Sequence, residues 1–220
     1  TIPGRAFGLP LARINQRIGP ETDPLTVQPL VIAKNNIPNC FTEDALNQAR
    51  RTKAASAEQR YDLRDLPLVT IDEQSAQDFD DAVWAEPDDD PENIGGFHMV
   101  VAIADVSWYV QPGDPLDVDA RLRGNSVYLP NLVIPMFPEE LSNGWCSLIP
   151  GEDRPCMAVE IWINSKGRKL RHQFRRSIMR SAARLNYDQV QQCHDNSKTH
   201  SINAVIPDGI VSCQYGALQA

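Results

Sequence analysis

The stretch Thr70-Ile71-Asp72-Glu73-Gln74-Ser75-Ala76-Gln77-Asp78-Phe79-Asp80-Asp81-Ala82 decides how the rest of the chain is read. Leu68 to Ile71 on one side and Ala82 to Trp84 on the other have the apolar, β-branched and aromatic character of strands. Four aspartates therefore stand in a connection between strands. Carboxylates this dense repel one another and need either full solvation or a cation, and oxygen-only ligands select hard ions such as Mg²⁺. Two such ions, roughly 4 Å apart, can clamp the attacking and leaving oxygens of a phosphodiester, with water as the nucleophile. Phe79 separates Asp78 from Asp80, so strand-like alternation places both carboxylates on one face. A solvated acidic turn is the competing reading, and spacing alone leaves both open; for Asp88-Asp89-Asp90 the solvated turn is the expectation. The pattern is not an EF-hand loop, which needs a glycine at its sixth position and a glutamate at its twelfth.

Working outward, Phe97 to Val106 reads as a long apolar strand. Pro115 to Gly124 has the proline start and glycine stop of a short helix. Cys156 to Ile163 and Leu170 to Ile178 form a strand pair around the turn Asn164-Ser165-Lys166-Gly167, and Tyr187 to Cys193 opens another helix. Before residue 60, repeated prolines limit helices to short pieces around Leu25 to Ala33 and Thr42 to Arg51, with Thr42 as an N-cap. The expected class is α+β, a mixed sheet with flanking helices. The expected division is a proline-rich helical lead-in over 1–60 and the main domain over 61–220. The sequence after that helix is polar and poor in core residues, so the domain is expected to be incomplete.

Composition constrains function. The 220 residues carry 42% hydrophobic and 23% charged side chains, the usage of folded water-soluble proteins. No apolar run approaches the ~20 residues of a membrane span, and Thr1 does not open a signal peptide, so a cytoplasmic protein with no membrane partner is expected. Cys40, Cys146, Cys156, Cys193 and Cys213 suggest neither a disulfide framework nor a zinc site. The net charge of −8 argues against a general nucleic-acid coat. It hides a division, however: residues 65–120 hold no Lys or Arg, whereas the run Lys166 to Arg184 holds no acid. That basic run, Arg175 and Arg176 included, could track an RNA backbone or simply solvate one face of a hairpin. His98, His172, His194 and His200 show no ligand spacing.

Several ordered strings carry a family resemblance. Asp62-Leu63-Arg64, Thr70-Ile71-Asp72 and Asp78-Phe79-Asp80-Asp81-Ala82 resemble the signature of RNB exoribonucleases, the ribonuclease II and ribonuclease R group. Val101-Ala102-Ile103-Ala104-Asp105-Val106-Ser107, Arg123-Gly124, Ser126-Val127-Tyr128-Leu129-Pro130 and Ile134-Pro135-Met136-Phe137-Pro138 continue it. Cys146-Ser147-Leu148 and Arg154 close a match running from about Tyr61 to Gln192.

The resemblance implies a Mg²⁺-dependent 3′-to-5′ exoribonuclease that hydrolyses single-stranded RNA to nucleoside 5′-monophosphates. One or two ions are implied, with Mn²⁺ as a possible substitute. It assigns metal binding and catalysis to Asp72, Asp78, Asp80 and Asp81. Asp72 and Asp81 would hold one ion against the scissile phosphate, while Asp78 and Asp80 would help place the second and its water. Tyr128 matches a tyrosine that packs near the 3′-terminal nucleotides, although a core aromatic on a strand is its other reading. Arg123, Arg175 and Arg176 are candidate RNA contacts. The family's upstream cold-shock domains, later arginine and S1 domain have no counterpart in these residues. The activity is therefore expected of a longer parent polypeptide whose other segments act as partners. The alternative is a catalytically inactive RNB-like RNA-binding or scaffolding protein, and another Mg²⁺-dependent phosphohydrolase is a third.

Overall fold

The computed structural model describes residues 5–6, 9–10, 13–14, 17–20 and 26–197. The polar tail expected after the last helix lies outside them, as do Leu25, His200 and Cys213. Two short strands, β1 (Arg5–Ala6) and β2 (Leu9–Pro10), precede helices α1 (Val27–Lys34) and α2 (Glu43–Arg51). There follow β3 (Tyr61–Asp62), β4 (Val69–Asp72), β5 (Asp81–Pro87), β6 (Phe97–Ala104), α3 (Val106–Tyr109), α4 (Pro115–Arg123), β7 (Val127–Leu129) and β8 (Leu132–Ile134). A π-helical turn at Glu140–Trp145 leads to β9 (Asp153–Ile163), β10 (Lys169–Arg180), β11 (Ala183–Asn186) and α5 (Tyr187–Ser197).

The expected α+β class is the one observed. A seven-stranded sheet runs β11-β4-β5-β6-β9-β10-β3, and it is mixed because β11/β4 and β10/β3 pair parallel while the pairs between them are antiparallel. Local chemistry explains the element ends. Thr42 is extended and its hydroxyl accepts from the Ala45 N–H, and Ala45 and Ala49, one turn apart, are buried in the core beside α4 and the π-helical turn. The Asp114 side chain caps α4, Pro115 starts it and Gly124, at φ 79°, ends it. The β9–β10 hairpin turns at Gly167, φ 73°, while Asn164 Oδ1 accepts from the N–H groups of Lys166 and Arg168.

Alternation divides the core between the two faces of the sheet. Leu68, Ala82, Trp84, Val100, Ala102, Cys156 and Ala158 pack with α2, α4, Leu141 of the π-helical turn and Leu148. On the other face Val69, Ala183 and Leu185 pack with Ile71, Val83 and Val190 of α5. One expectation is corrected: the strand from Phe97 stops at Ala104, and Val106 already begins α3. Asp105, 2% exposed, still donates its N–H to Pro155 O of β9 at 3.0 Å but ends the strand, its carboxylate meeting Arg60 at 2.9 Å and Arg176 at 3.2 Å and accepting from Ser107 Oγ at 2.7 Å. A buried charge without these partners would be strongly unfavourable.

Candidate metal and RNA site

Asp72 ends β4 and Asp81 begins β5, so the two strands deliver their carboxylates to the same end of the sheet. Asp72 lies beside Asn186 in the parallel ladder with β11, and Asp81 lies opposite Ile103 of β6. The loop between them carries Asp78 and Asp80, and it is anchored rather than free. Phe79 is buried in the core, its N–H donates to Ser147 Oγ at 3.1 Å, and its carbonyl accepts from Leu148 N–H at 2.9 Å. Ser147 Oγ donates in turn to Gln77 O at 3.0 Å, and the Asp80 carbonyl accepts from Ala104 N–H at 2.8 Å. With Phe79 sunk into the apolar layer, Asp78 and Asp80 must project away from it.

The four carboxylates share one electrostatic neighbourhood. Partial burial, then the charges of Asp78, Asp81 and Asp72, push the Asp80 carboxyl up to about 6. Asp72 is likewise raised, first by burial and then by Asp81, against the opposing Thr70 hydroxyl and Arg184 guanidinium. Asp72 Oδ2 is buried with no hydrogen-bond partner. Among the described residues no three His, Cys, Asp or Glu side chains are drawn closely enough together to hold a metal ion; mutual repulsion opposes a tighter cluster. The donor chemistry nonetheless suits a hard cation. The set offers only oxygen, its charges are only partly offset by Arg184 near Asp72, and Asp72 Oδ2 has no hydrogen-bond partner.

Tyr128 on β7 is 66% exposed, and its hydroxyl donates to Asp78 Oδ2 at 3.2 Å. It is therefore not a core aromatic, and burial together with Asp78 raises its phenol above the ordinary range. The other candidate RNA contacts lie in internal networks. Arg123 donates to the carbonyls of Pro38 and Pro135 and lies 3.7 Å over the Phe41 ring, pinning the chain ahead of α2. Arg175 pairs with Glu160 at 2.6 Å and covers Tyr61, while Arg176 engages Asp105 and Ser107. Three arginines of β10, Arg175, Arg176 and Arg180, thus meet acids of β9 and of the turn after β6, which composition along the chain does not show. His98 stacks on Trp162 at 4.3 Å, and His172 meets Phe174 edge-on; the His194 side chain lies outside the described residues. Cys40, Cys146, Cys156 and Cys193 are free thiols.

Two residues hold the aspartate loop through contacts that the sequence does not show, although Ser147 lies within one of the strings that carry the resemblance. Ser147 is fully buried beneath the loop. Arg184 reaches it from β11, a strand whose only sequence signal is the alternation of Ala183 and Leu185 with polar neighbours. Among the described residues no helix is long and apolar enough to cross a membrane.

These features define a class: a mixed-sheet α+β domain with a carboxylate cluster where two central strands end. The family model described as RNB domain matches residues 60–210, and the chain belongs to that family. It is 56% identical over 131 residues to ribonuclease R of Escherichia coli K12, a match covering 60% of this chain and 16% of that protein. With ribonuclease R of Acidithiobacillus ferrooxidans the identity is 41% over 186 residues, covering 83% of this chain and 41% of the relative. The chain thus spans less than half the length of either. Among solved structures it is similar to Mycoplasma genitalium RNase R in complex with ribose methylated single-stranded RNA. The TM-score is 0.80 at 30% identity, over 92% of this chain and 30% of the other.

Proposed function

We propose that the chain is part of a Mg²⁺-dependent 3′-to-5′ exoribonuclease that hydrolyses single-stranded RNA to nucleoside 5′-monophosphates. The observation that carries this reading is the cluster of Asp72, Asp78, Asp80 and Asp81 on an anchored loop, its negative charge only partly offset by Arg184, with Asp72 Oδ2 lacking a hydrogen-bond partner. Its similarity to ribonuclease R proteins supports the same reading.

Asp72 and Asp81 would hold one ion at the scissile phosphate, and Asp78 and Asp80 a second. Held there, the ions would supply Lewis-acid activation of the attacking water and neutralisation of charge developing on the phosphate and the leaving 3′ oxygen. The chain's own contribution is positional. Phe79 and Ser147 fix the backbone between Asp78 and Asp80, so those carboxylates need little reorganisation during reaction. The Tyr128 hydroxyl orients Asp78, and its exposed ring offers a stacking surface to a terminal base.

The test is a time course with the full-length polypeptide in which this chain occurs, on 5′-labelled single-stranded RNA. A ladder shortening from the 3′ end, nucleoside 5′-monophosphates as product and arrest by a chelator are expected. Internal cuts, 3′-phosphate products or activity in chelator would overturn the reading.

A further inference from the structure

Arg184 lies on β11, paired in register with Thr70 of β4. Its Nη2 donates to three backbone carbonyls of the aspartate loop: Glu73 at 3.2 Å, Gln74 at 2.6 Å and Ala76 at 3.1 Å. Its guanidinium carbon sits 4.8 Å from the centre of the Phe79 ring. The loop carbonyls therefore converge on one cation, and that cation rests on the residue anchoring Asp78 and Asp80. At the far end of the loop Ser147 binds Gln77 and Phe79. The segment from Glu73 to Phe79 is held at both ends by side chains that follow it in sequence by many residues.

Charge-assisted bonds from a guanidinium to several carbonyls fix a loop more firmly than a chain of neutral turns does. Here they fix the span separating Asp72 from Asp78, Asp80 and Asp81. We infer that Arg184 is a positioning residue that sets the geometry of the aspartate cluster by clamping its loop, a role that rests on the metal-site reading above.

Two roles for Arg184 predict opposite signs for cation affinity. Arg184 also lowers the Asp72 carboxyl from nearby. If that charge were its whole contribution, removing it would leave the cluster more negative and tighten cation binding. If it clamps the loop, removing it scatters the ligands and weakens binding.

The experiment uses the full-length polypeptide in which this chain occurs, with two readouts, Mn²⁺ binding by electron paramagnetic resonance and amide hydrogen exchange. In Arg184→Ala, exchange over residues 73–79 is expected to speed by about tenfold or more while β6 and β9 stay protected. Mn²⁺ affinity is expected to fall by about tenfold, as misplaced ligands dictate. Arg184→Lys, which keeps the charge and some donors but cannot rest a planar group on Phe79, should be intermediate in both. Tighter Mn²⁺ binding by Arg184→Ala, or unchanged exchange over 73–79 in both variants, overturns the inference. If the unsubstituted polypeptide binds no Mn²⁺, the metal-site reading fails; exchange at 73–79 then still decides whether Arg184 clamps the loop.

Discussion

Replacing Asp80 with Asn should make the metal-free protein more stable at neutral pH. Asp80 titrates near 6 in the fold, against 3.8 for a free aspartate, because it is partly desolvated and faces Asp78, Asp81 and Asp72. A shift of this size corresponds to about 3 kcal/mol at face value. The side chain is solvent-exposed, so screening reduces the figure to about 1 kcal/mol. The fold binds the Asp80 proton more tightly than the unfolded chain does, so the penalty is complete above pH 6. It shrinks as pH falls through 6 towards 3.8 and is gone below both values. Asn keeps the shape and removes the charge. Urea denaturation in chelator should therefore show Asp80→Asn about 1 kcal/mol more stable at pH 7.5, equivalent to a rise of roughly 2–4 °C in Tm. At pH 3, below both values, the two proteins should coincide. Adding Mg²⁺ should stabilise the unsubstituted chain and leave the variant nearly unaffected. A variant that is less stable at pH 7.5, or a gain that persists undiminished at pH 3, would refute the electrostatic reasoning.

Three further outcomes are expected. Arg60→Ala removes the shorter of two arginine contacts to buried Asp105 and should cost about 3 kcal/mol in urea unfolding, near the lower end for a broken buried pair; a loss below about 1 kcal/mol would show that Arg176 compensates alone. Ser147→Ala leaves the Gln77 carbonyl and Phe79 N–H without their shared partner, costing about 1–3 kcal/mol and accelerating exchange at the Phe79 amide. Tyr128→Ala in the full-length polypeptide should lengthen or shorten the residual RNA seen on a sequencing gel, while Tyr128→Phe, which keeps the stacking ring, should match the unsubstituted protein; identical residual products in all three would exclude a base-stacking role.

The strand flanks of the aspartate loop, the Thr42 cap, the Pro115-to-Gly124 helix and the turn at Gly167 were legible because each rests on local chemistry. Alternation, a capping hydroxyl or a glycine at positive φ acts within a few residues. What escaped depends on partners far apart in sequence. Asp105 sits in a run that reads as strand, and only the folded chain brings Arg60 and Arg176 to it. The pairing of Arg175, Arg176 and Arg180 of the basic run with Glu160, Asp105 and Asp153 also joins partners far apart in sequence. Likewise, four aspartates in one loop are visible in the sequence, whereas the clamp from Arg184 and the support from Ser147 are not. Backbone carbonyls leave no residue signature, so a side chain that gathers them looks like any other arginine.

On the proposed reading the Asp72 cluster performs hydrolysis while other contacts hold the RNA. This reading is tested most directly by comparing Asp80→Asn with the unsubstituted full-length polypeptide in two assays, mononucleotide release from single-stranded RNA with Mg²⁺ and equilibrium RNA binding in chelator. The predicted result is loss of hydrolysis by at least about a thousandfold, since charge stabilisation depends on few groups. RNA affinity should change by less than about threefold, because binding is spread over many phosphate and stacking contacts. Hydrolysis retained within about tenfold, in a variant shown to be folded, would contradict the assignment of these carboxylates to the chemistry.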